Sequence, residues 1–169
     1  GHWVEYGVDP LWANSPAPYG QFWLLLSQGV SAITGDDPYV AAILFRLIAL
    51  VGLALLVWSI PTLARSTGAS AERATWLAAL NPFTILLFIS AIHNDALMVG
   101  LIAAGLALAI RKHPVWAVVV ITLAVSVKPV AALALPIVGL IWVGGKYPIR
   151  ELIKRWSQIA AITIVILIG

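Results

Sequence analysis

The chain has 169 residues, of which 62% are hydrophobic and 10% charged, with a formal net charge of +3. A soluble domain carries roughly 25% charged residues, so this composition is that of a membrane protein, and so small a charge, spread among the loops, excludes a nucleic-acid binder. With no cysteine in the sequence, disulfides, thiolate metal sites and cysteine nucleophiles are excluded as well.

In chain order, "GHWVEYGVDPLWANSPAPYG" reads as a loop, stiffened by the two prolines and the glycine of "NSPAPYG". "QFWLLLSQGVSAI", Gln21 to Ile33, is too short to span a bilayer and is interrupted by Gln28 and two serines, which predicts an interfacial or re-entrant helix. The clearest span is Tyr39 to Ala64. A second starts at Ala74, "ATWLAALNPFTILLFISAI", where Asn81-Pro82 predicts a kink, and a third at Ala96, "ALMVGLIAAGLALAI". Pro114 to Val143 would be about 45 Å long as a single helix. It divides at Lys128-Pro129, because proline disfavours helix in the residue before it. A sixth span begins near Trp156, and the sequence stops within it at "ITIVILIG". Without Met at position 1 or a leader pattern, the chain reads as an internal fragment of a longer multispan protein.

Loop charge tests this division. If the short loops alternate sides, Arg65, Arg73, Arg111, Lys112, Lys146, Arg150, Lys154 and Arg155, eight of the ten basic residues, share one side, which the positive-inside rule makes cytoplasmic. A single kinked helix from Pro114 to Val143 would move four of them outside. The expected fold is therefore all-α, a polytopic transmembrane helical bundle. Residues 1–38 form an external loop and interfacial helix; residues 39–169 form about five complete or nearly complete spans and the start of a sixth, within one domain.

Polar chemistry then gathers on the extracytoplasmic face. Five of the seven acidic residues lie there, namely Glu5, Asp9, Asp36, Asp37 and Asp95, and so do His93, Asn94 and Lys128. Asp95 precedes a helix and is a candidate N-cap; beside His93 and Asn94 it also suits orienting a hydroxyl and taking its proton. Lys128 either snorkels to the interface or holds an anionic group. Arg46, about two turns inside its span, suits an ion pair, a snorkel or a bidentate grip on phosphate. Trp58, Trp76, Trp116, Trp142 and Trp156 sit near span ends as an interfacial belt, whereas Trp3, Trp12, Trp23 and Tyr19 cluster on the external side, where aromatic faces either stack on sugars or anchor a loop. His2, His93 and His113 have no metal-ligand spacing, and no Walker A, GxGxxG or HExxH motif occurs.

Taken together, "VDPLWANSPAPYGQFWLLL", "FRLIALVGLALLVWSIPTLAR", "NPFTILLFISAIHNDALMVGLIAAGLALA" and "SVKPVAALALP" resemble the actinobacterial polyprenol-phosphomannose-dependent alpha-1,6-mannosyltransferases, multispan enzymes of the GT-C fold class. The resemblance implies inverting transfer of mannose from polyprenyl phosphomannose to a growing alpha-1,6-mannan of lipomannan and lipoarabinomannan, without a metal or other cofactor, at the outer face of the plasma membrane. It implies Asp95 for acceptor binding or base assistance, His93 and Asn94 for sugar hydrogen bonds, Lys128 and Arg46 for phosphate, and Tyr19 and Trp23 as groove lining. The class places its principal carboxylate on the first long external loop, upstream of Gly1, with Asp9 a further candidate within the chain. Gln21 stands where the family pattern has proline. The expected partners are the bilayer, the lipid-linked donor and a mannan or glycolipid acceptor. The competing functions are a lipid-linked sugar transporter or flippase, a related enzyme using another polyprenyl-phosphate sugar such as arabinose, and a structural membrane subunit.

Overall fold

A computed structural model describes residues 9, 18–35, 37–90, 93–145 and 148–168, and all regular structure among them is helical. Trp3, Glu5, Trp12, Asp36, Lys146 and most of "NSPAPYG" lie outside the described residues. Helix α1, Gln21–Thr34, ends at Gly35, whose positive φ of 58° suits a residue without a Cβ. Asp37 then caps α2, Pro38–Ser66, by accepting from the amides of Tyr39 (2.9 Å) and Val40 (3.1 Å), with Pro38 in the first turn, where its missing N–H costs nothing. Ser70 caps α3, Ala71–Ala79.

The second expected span is not one kinked helix. Its helix begins at Ala71, before Ala74, and stops at Ala79; after the break the chain re-forms as a π-helix, Thr84–Ser90. Pro82 supplies no N–H and disfavours helix at Asn81, and Asn81 Oδ1 instead accepts from the Phe83 amide at 2.9 Å, a turn that competes with the helix. Thr84 Oγ1 donates to the Ala78 carbonyl at 2.9 Å and ties the two pieces together.

Helix α4, Asp95–Ile110, turns into α5, Pro114–Val127, through Lys112 at φ 66°. The Lys112 amide reaches Ala109 O (3.0 Å) and the His113 amide reaches Leu108 O (2.9 Å), the paired bonds of a Schellman ending. At the far end of α5 a 3-10 turn, Pro129–Ala134, leads into α6, Leu135–Val143. Helix α6 runs back along α5: Ala134 and Val138 are buried with Ala117, Val118 and Ile121, and Ile141 and Trp142 line one cavity with Lys112 and Pro114. Helix α7, Ile149–Ile168, begins a full two turns before Trp156, because Glu151 pairs with Arg155 (3.6 Å) and Lys154 (3.9 Å) along its polar first turns. It docks on the hairpin through Trp156 Nε1 to Pro136 O (3.2 Å) and the buried hydroxyl pair Thr122 and Thr163 (3.1 Å).

Among the described residues, α2 alone has the length and apolarity to cross a bilayer, with a mean hydropathy of 2.8 in a window that is only 11% buried. Of the five expected spans, one thus meets this measure among the described residues. Asp95–Ile110, Pro114–Val127 and Pro129–Val143 are apolar but shorter, because charged or proline-bearing turns at Asp95, His113-Pro114 and Lys128-Pro129 cut them short of the roughly 20 residues a 30 Å core requires.

Helices α2 and α4 run parallel in backbone contact. A Cβ on Gly52 would meet the Ala96 carbonyl and Leu97 Cα, and a Cβ on Gly100 would meet the Gly52 backbone. Farther along, Arg111 donates to Thr62 Oγ1 (2.6 and 3.0 Å) and lies 4.3 Å over the Trp58 ring. Gly52→Leu should therefore force the helices apart and lower the unfolding temperature of the detergent-solubilised protein, a cost of about 3 kcal/mol. Gly29→Ala, whose added Cβ meets nothing within 4 Å, should leave that temperature unchanged or raise it, a gain of up to about 1 kcal/mol.

Candidate functional site

The site forms where the start of α4 meets the turn after α5. His93 O accepts from the Ala96 amide (3.2 Å), and Asn94 O from those of Leu97 (3.1 Å) and Met98 (3.2 Å), which fixes the backbone of "HND" as the opening of the helix. Asn94 has φ −62° and ψ −19° and makes no side-chain cap. Its side chain is instead buried, at 6% relative exposure, and Nδ2 has no hydrogen-bond partner among the described residues. A buried donor left in that state costs about 1–3 kcal/mol.

Asp95 is the first residue of α4, and its oxygens face sideways instead of capping the helix. Oδ1 lies 2.9 Å from Lys128 Nζ and Oδ2 3.5 Å from His93 Nδ1. The pair is partly buried, with side-chain exposures of 29% for Asp95 and 35% for Lys128. Lys128 is held by its position in the turn: Pro129 forces it into extended backbone at φ −150° and ψ 122°, its amide reaches Ala124 O (2.9 Å), and its carbonyl accepts from Ala131 (3.0 Å). Its ammonium is therefore ion-paired and does not snorkel alone.

A second wall comes from the segment entering α1. The Gly20 amide donates to Val127 O (3.0 Å), and Gly20 sits so close to the Ser126 backbone that no Cβ fits. This places Tyr19 beside the turn that carries Lys128. Tyr19 meets Trp23 edge-on at 6.3 Å, and Trp23 stacks at a tilt on Phe45 at 5.7 Å. Trp23 also packs on the core formed by Leu97, Met98 and Val127, so it supports the site from behind while Tyr19 remains exposed. Arg46, next to Phe45, is exposed on α2, about 9 Å of helix rise before Gly52, and no contact joins it to the Asp95 cluster among the described residues. Asp9 is exposed and engaged in an interaction of its own.

The structure thus brings together His93, Asn94, Asp95 and Lys128, with Tyr19 at the edge. Sequence reasoning missed that Asp95 and Lys128, 33 positions apart, are each other's partners. The available signal was their opposite charge in turns assigned to the same side. It also missed Phe45 and the docking of Gly20 on Ser126. A cavity of about 510 Å³ lies at the opposite end between α2 and α3, lined by Pro61, Arg65, Glu72 and Trp76, and contains none of these residues. The polar chemistry, not the volume, identifies the site. One carboxylate flanked by an ammonium, an imidazole and an unpaired amide suits a ligand carrying both hydroxyls and anionic oxygens.

The model of the family described as alpha-(1->6)-mannopyranosyltransferase, N-terminal domain, matches residues 1–144. The chain is 39% identical over 135 residues to alpha-(1->6)-mannopyranosyltransferase A of Mycobacterium tuberculosis, covering 80% of this chain and 26% of that protein. It is 38% identical over 133 residues to alpha-(1->6)-mannopyranosyltransferase A of Corynebacterium glutamicum, covering 79% and 27%. With alpha-(1->6)-mannopyranosyltransferase B of the latter organism the identity is 36% over 104 residues, 62% of this chain and 17% of that one. The chain thus spans about a quarter of the length of the first two relatives. No solved structure matches. With a family model matched along most of its length and relatives sharing over a third of the aligned residues, the chain belongs to the alpha-(1->6)-mannopyranosyltransferase family.

Proposed function

We propose that the chain forms part of a multispan membrane enzyme of the GT-C class that transfers mannose from polyprenyl phosphomannose to a growing alpha-1,6-mannan of lipomannan and lipoarabinomannan. The transfer takes place at the extracytoplasmic face of the plasma membrane, with inversion and without a metal. The observation that carries this reading is the Asp95, Lys128 and His93 cluster at the start of α4, with the buried Asn94 amide beside it. Family membership supports the sugar, since the relatives are named for mannopyranosyl transfer. The membrane setting is supported by α2, apolar over its length yet hardly buried, and by exposed apolar side chains on other helices, such as Leu77, Trp116, Ile137 and Val165.

The residues divide the work as follows. Asp95 accepts the hydrogen bond of the acceptor hydroxyl and assists its loss of a proton, with Asp9 a further carboxylate on the same side. His93 and Asn94 donate to sugar oxygens. As the bond from the acceptor oxygen to the anomeric carbon forms and the bond to phosphate breaks, negative charge passes to the departing polyprenyl phosphate. Lys128, assisted by Arg46, receives that charge in place of a metal. Tyr19 lines the groove, and Trp23 backs it from the core. Along α4 and α5 the ionisable groups lie at the helix ends and not at mid-length, which favours a transferase over a transporter, whose sites lie near the bilayer midplane.

Two measurements test the reading in membranes carrying the protein at its full natural length. Transfer of labelled mannose from polyprenyl phosphomannose to an oligomannoside should fall about 100-fold or more in Asp95→Asn, the range expected for loss of a proton acceptor, with an unchanged unfolding temperature. Full activity in that variant would remove Asp95 from the chemistry. Asn94→Leu, which exchanges an unpaired donor for an apolar group of similar size, should stabilise the protein by about 1 kcal/mol while transfer falls roughly 10-fold, the effect of one lost substrate hydrogen bond. A lower unfolding temperature with transfer intact would make Asn94 a structural residue.

A further inference from the structure

The proposed roles of Asp95 and Lys128 place a geometric demand on the pair, and the following inference rests on that reading. In an inverting displacement the acceptor oxygen and the departing oxygen lie on opposite faces of the anomeric carbon; in inverting glycosidases, which share that geometry, the two carboxyl groups that flank the reacting bond stand roughly 6.5–9.5 Å apart. Asp95 Oδ1 and Lys128 Nζ are 2.9 Å apart. At that separation the carboxylate and the ammonium occupy one face and neutralise each other, and the ring has no room between them.

We propose that the pair is a gate that couples the two substrates. The donor's phosphate draws the Lys128 ammonium onto itself, and this frees the Asp95 carboxylate for the acceptor hydroxyl. The backbone is suited to such a change. Lys128 is anchored on both sides, through its amide to Ala124 O and its carbonyl to the Ala131 amide, and Asp95 is the first residue of a helix whose opening turn is hydrogen-bonded through His93 and Asn94. Only side-chain torsions have to move, and a lysine stem has four of them. His93, 3.5 Å from Oδ2, stays with the carboxylate as Lys128 leaves and keeps it oriented. A phosphate oxygen is a strong competitor for the ammonium, because it brings its own charge and several acceptor sites to a partly exposed lysine. The consequence is order: donor first, acceptor second.

The test is a binding measurement on the full-length protein in detergent, with polyprenyl phosphate as the donor-side probe and a fluorescent alpha-1,6-mannotriose as the acceptor. Without a sugar on the phosphate no reaction occurs, so affinities are read at equilibrium. Polyprenyl phosphate should tighten mannotriose binding at least 5-fold, and mannotriose should tighten polyprenyl phosphate by the same factor, as linkage requires. In Lys128→Met the carboxylate is free at all times, so mannotriose should bind at the tightened affinity with or without polyprenyl phosphate. In Asp95→Asn binding should stay weak in both conditions. Wild-type protein that transfers mannose yet binds mannotriose equally well with and without polyprenyl phosphate would overturn the gate and leave the mannosyltransferase reading in place. Coupling in a protein that transfers no mannose would support the gate and remove the mannose assignment.

Discussion

The approach of α2 and α4 at Gly52 and Gly100 determines where everything else can be. Two backbones meet there with no side chain between them. In the membrane setting proposed above, where burial from water supplies no drive, such close packing and a few interhelical hydrogen bonds would provide the attraction. The contact sets α4 against the middle of α2 and not against its start. The helix that carries Asp95 therefore begins well below the N-terminus of α2. Helix α1 packs on the same core through Phe22, Trp23 and Leu26. At the other end Arg111, bonded to Thr62 and lying over Trp58, prevents the same two helices from sliding.

The other half of the site follows from a single proline. Pro129 ends α5 at Val127 and leaves Lys128 extended, and the chain then needs a 3-10 turn before α6 can return. A continuous helix would have buried the position of Lys128 among apolar neighbours, where an ammonium costs several kcal/mol. The break instead presents the lysine at the level of Asp95, and the same break exposes the Val127 carbonyl that Gly20 binds. One local departure from helix thus recruits both the cation and the segment leading into α1.

Much of this was legible in the sequence, and the division between what was and was not has a physical basis. Hydropathy and proline position report which stretches are apolar helices and where they stop, so the α5 to α6 return at Lys128-Pro129 could be read directly. What a side chain touches across helices depends on crossing depth and rotation, which neither property encodes. The pairing of Asp95 with Lys128 and the burial of Asn94 are of that kind. The Asn81-Pro82 step shows a different failure: proline within a helix reads equally as a kink or a break, and the deciding contact, Asn81 Oδ1 with the Phe83 amide, is a local choice between two turn geometries. Helix α7 began early for the opposite reason, since its first turns are held by Glu151, Lys154 and Arg155, which an apolarity scan discounts.

The site also departs from what stability alone would select. A buried amide with no acceptor is unfavourable, and a partly buried ion pair adds little net stability because desolvation offsets much of the attraction. Both occur within two adjacent residues, Asn94 and Asp95, at the opening of a helix whose following residues, Ala96, Leu97 and Met98, are all buried and apolar. An apolar residue at position 94 and a neutral helix former at 95 would leave neither the unpaired donor nor the half-buried charge. The residues present instead offer an unpaired donor and a carboxylate shared between two cationic or neutral nitrogen groups. Such a set gains its missing partners when a ligand supplies acceptor oxygens to Asn94 and Lys128 and a hydroxyl to Asp95, and a phosphate-linked sugar together with a sugar acceptor carries all three.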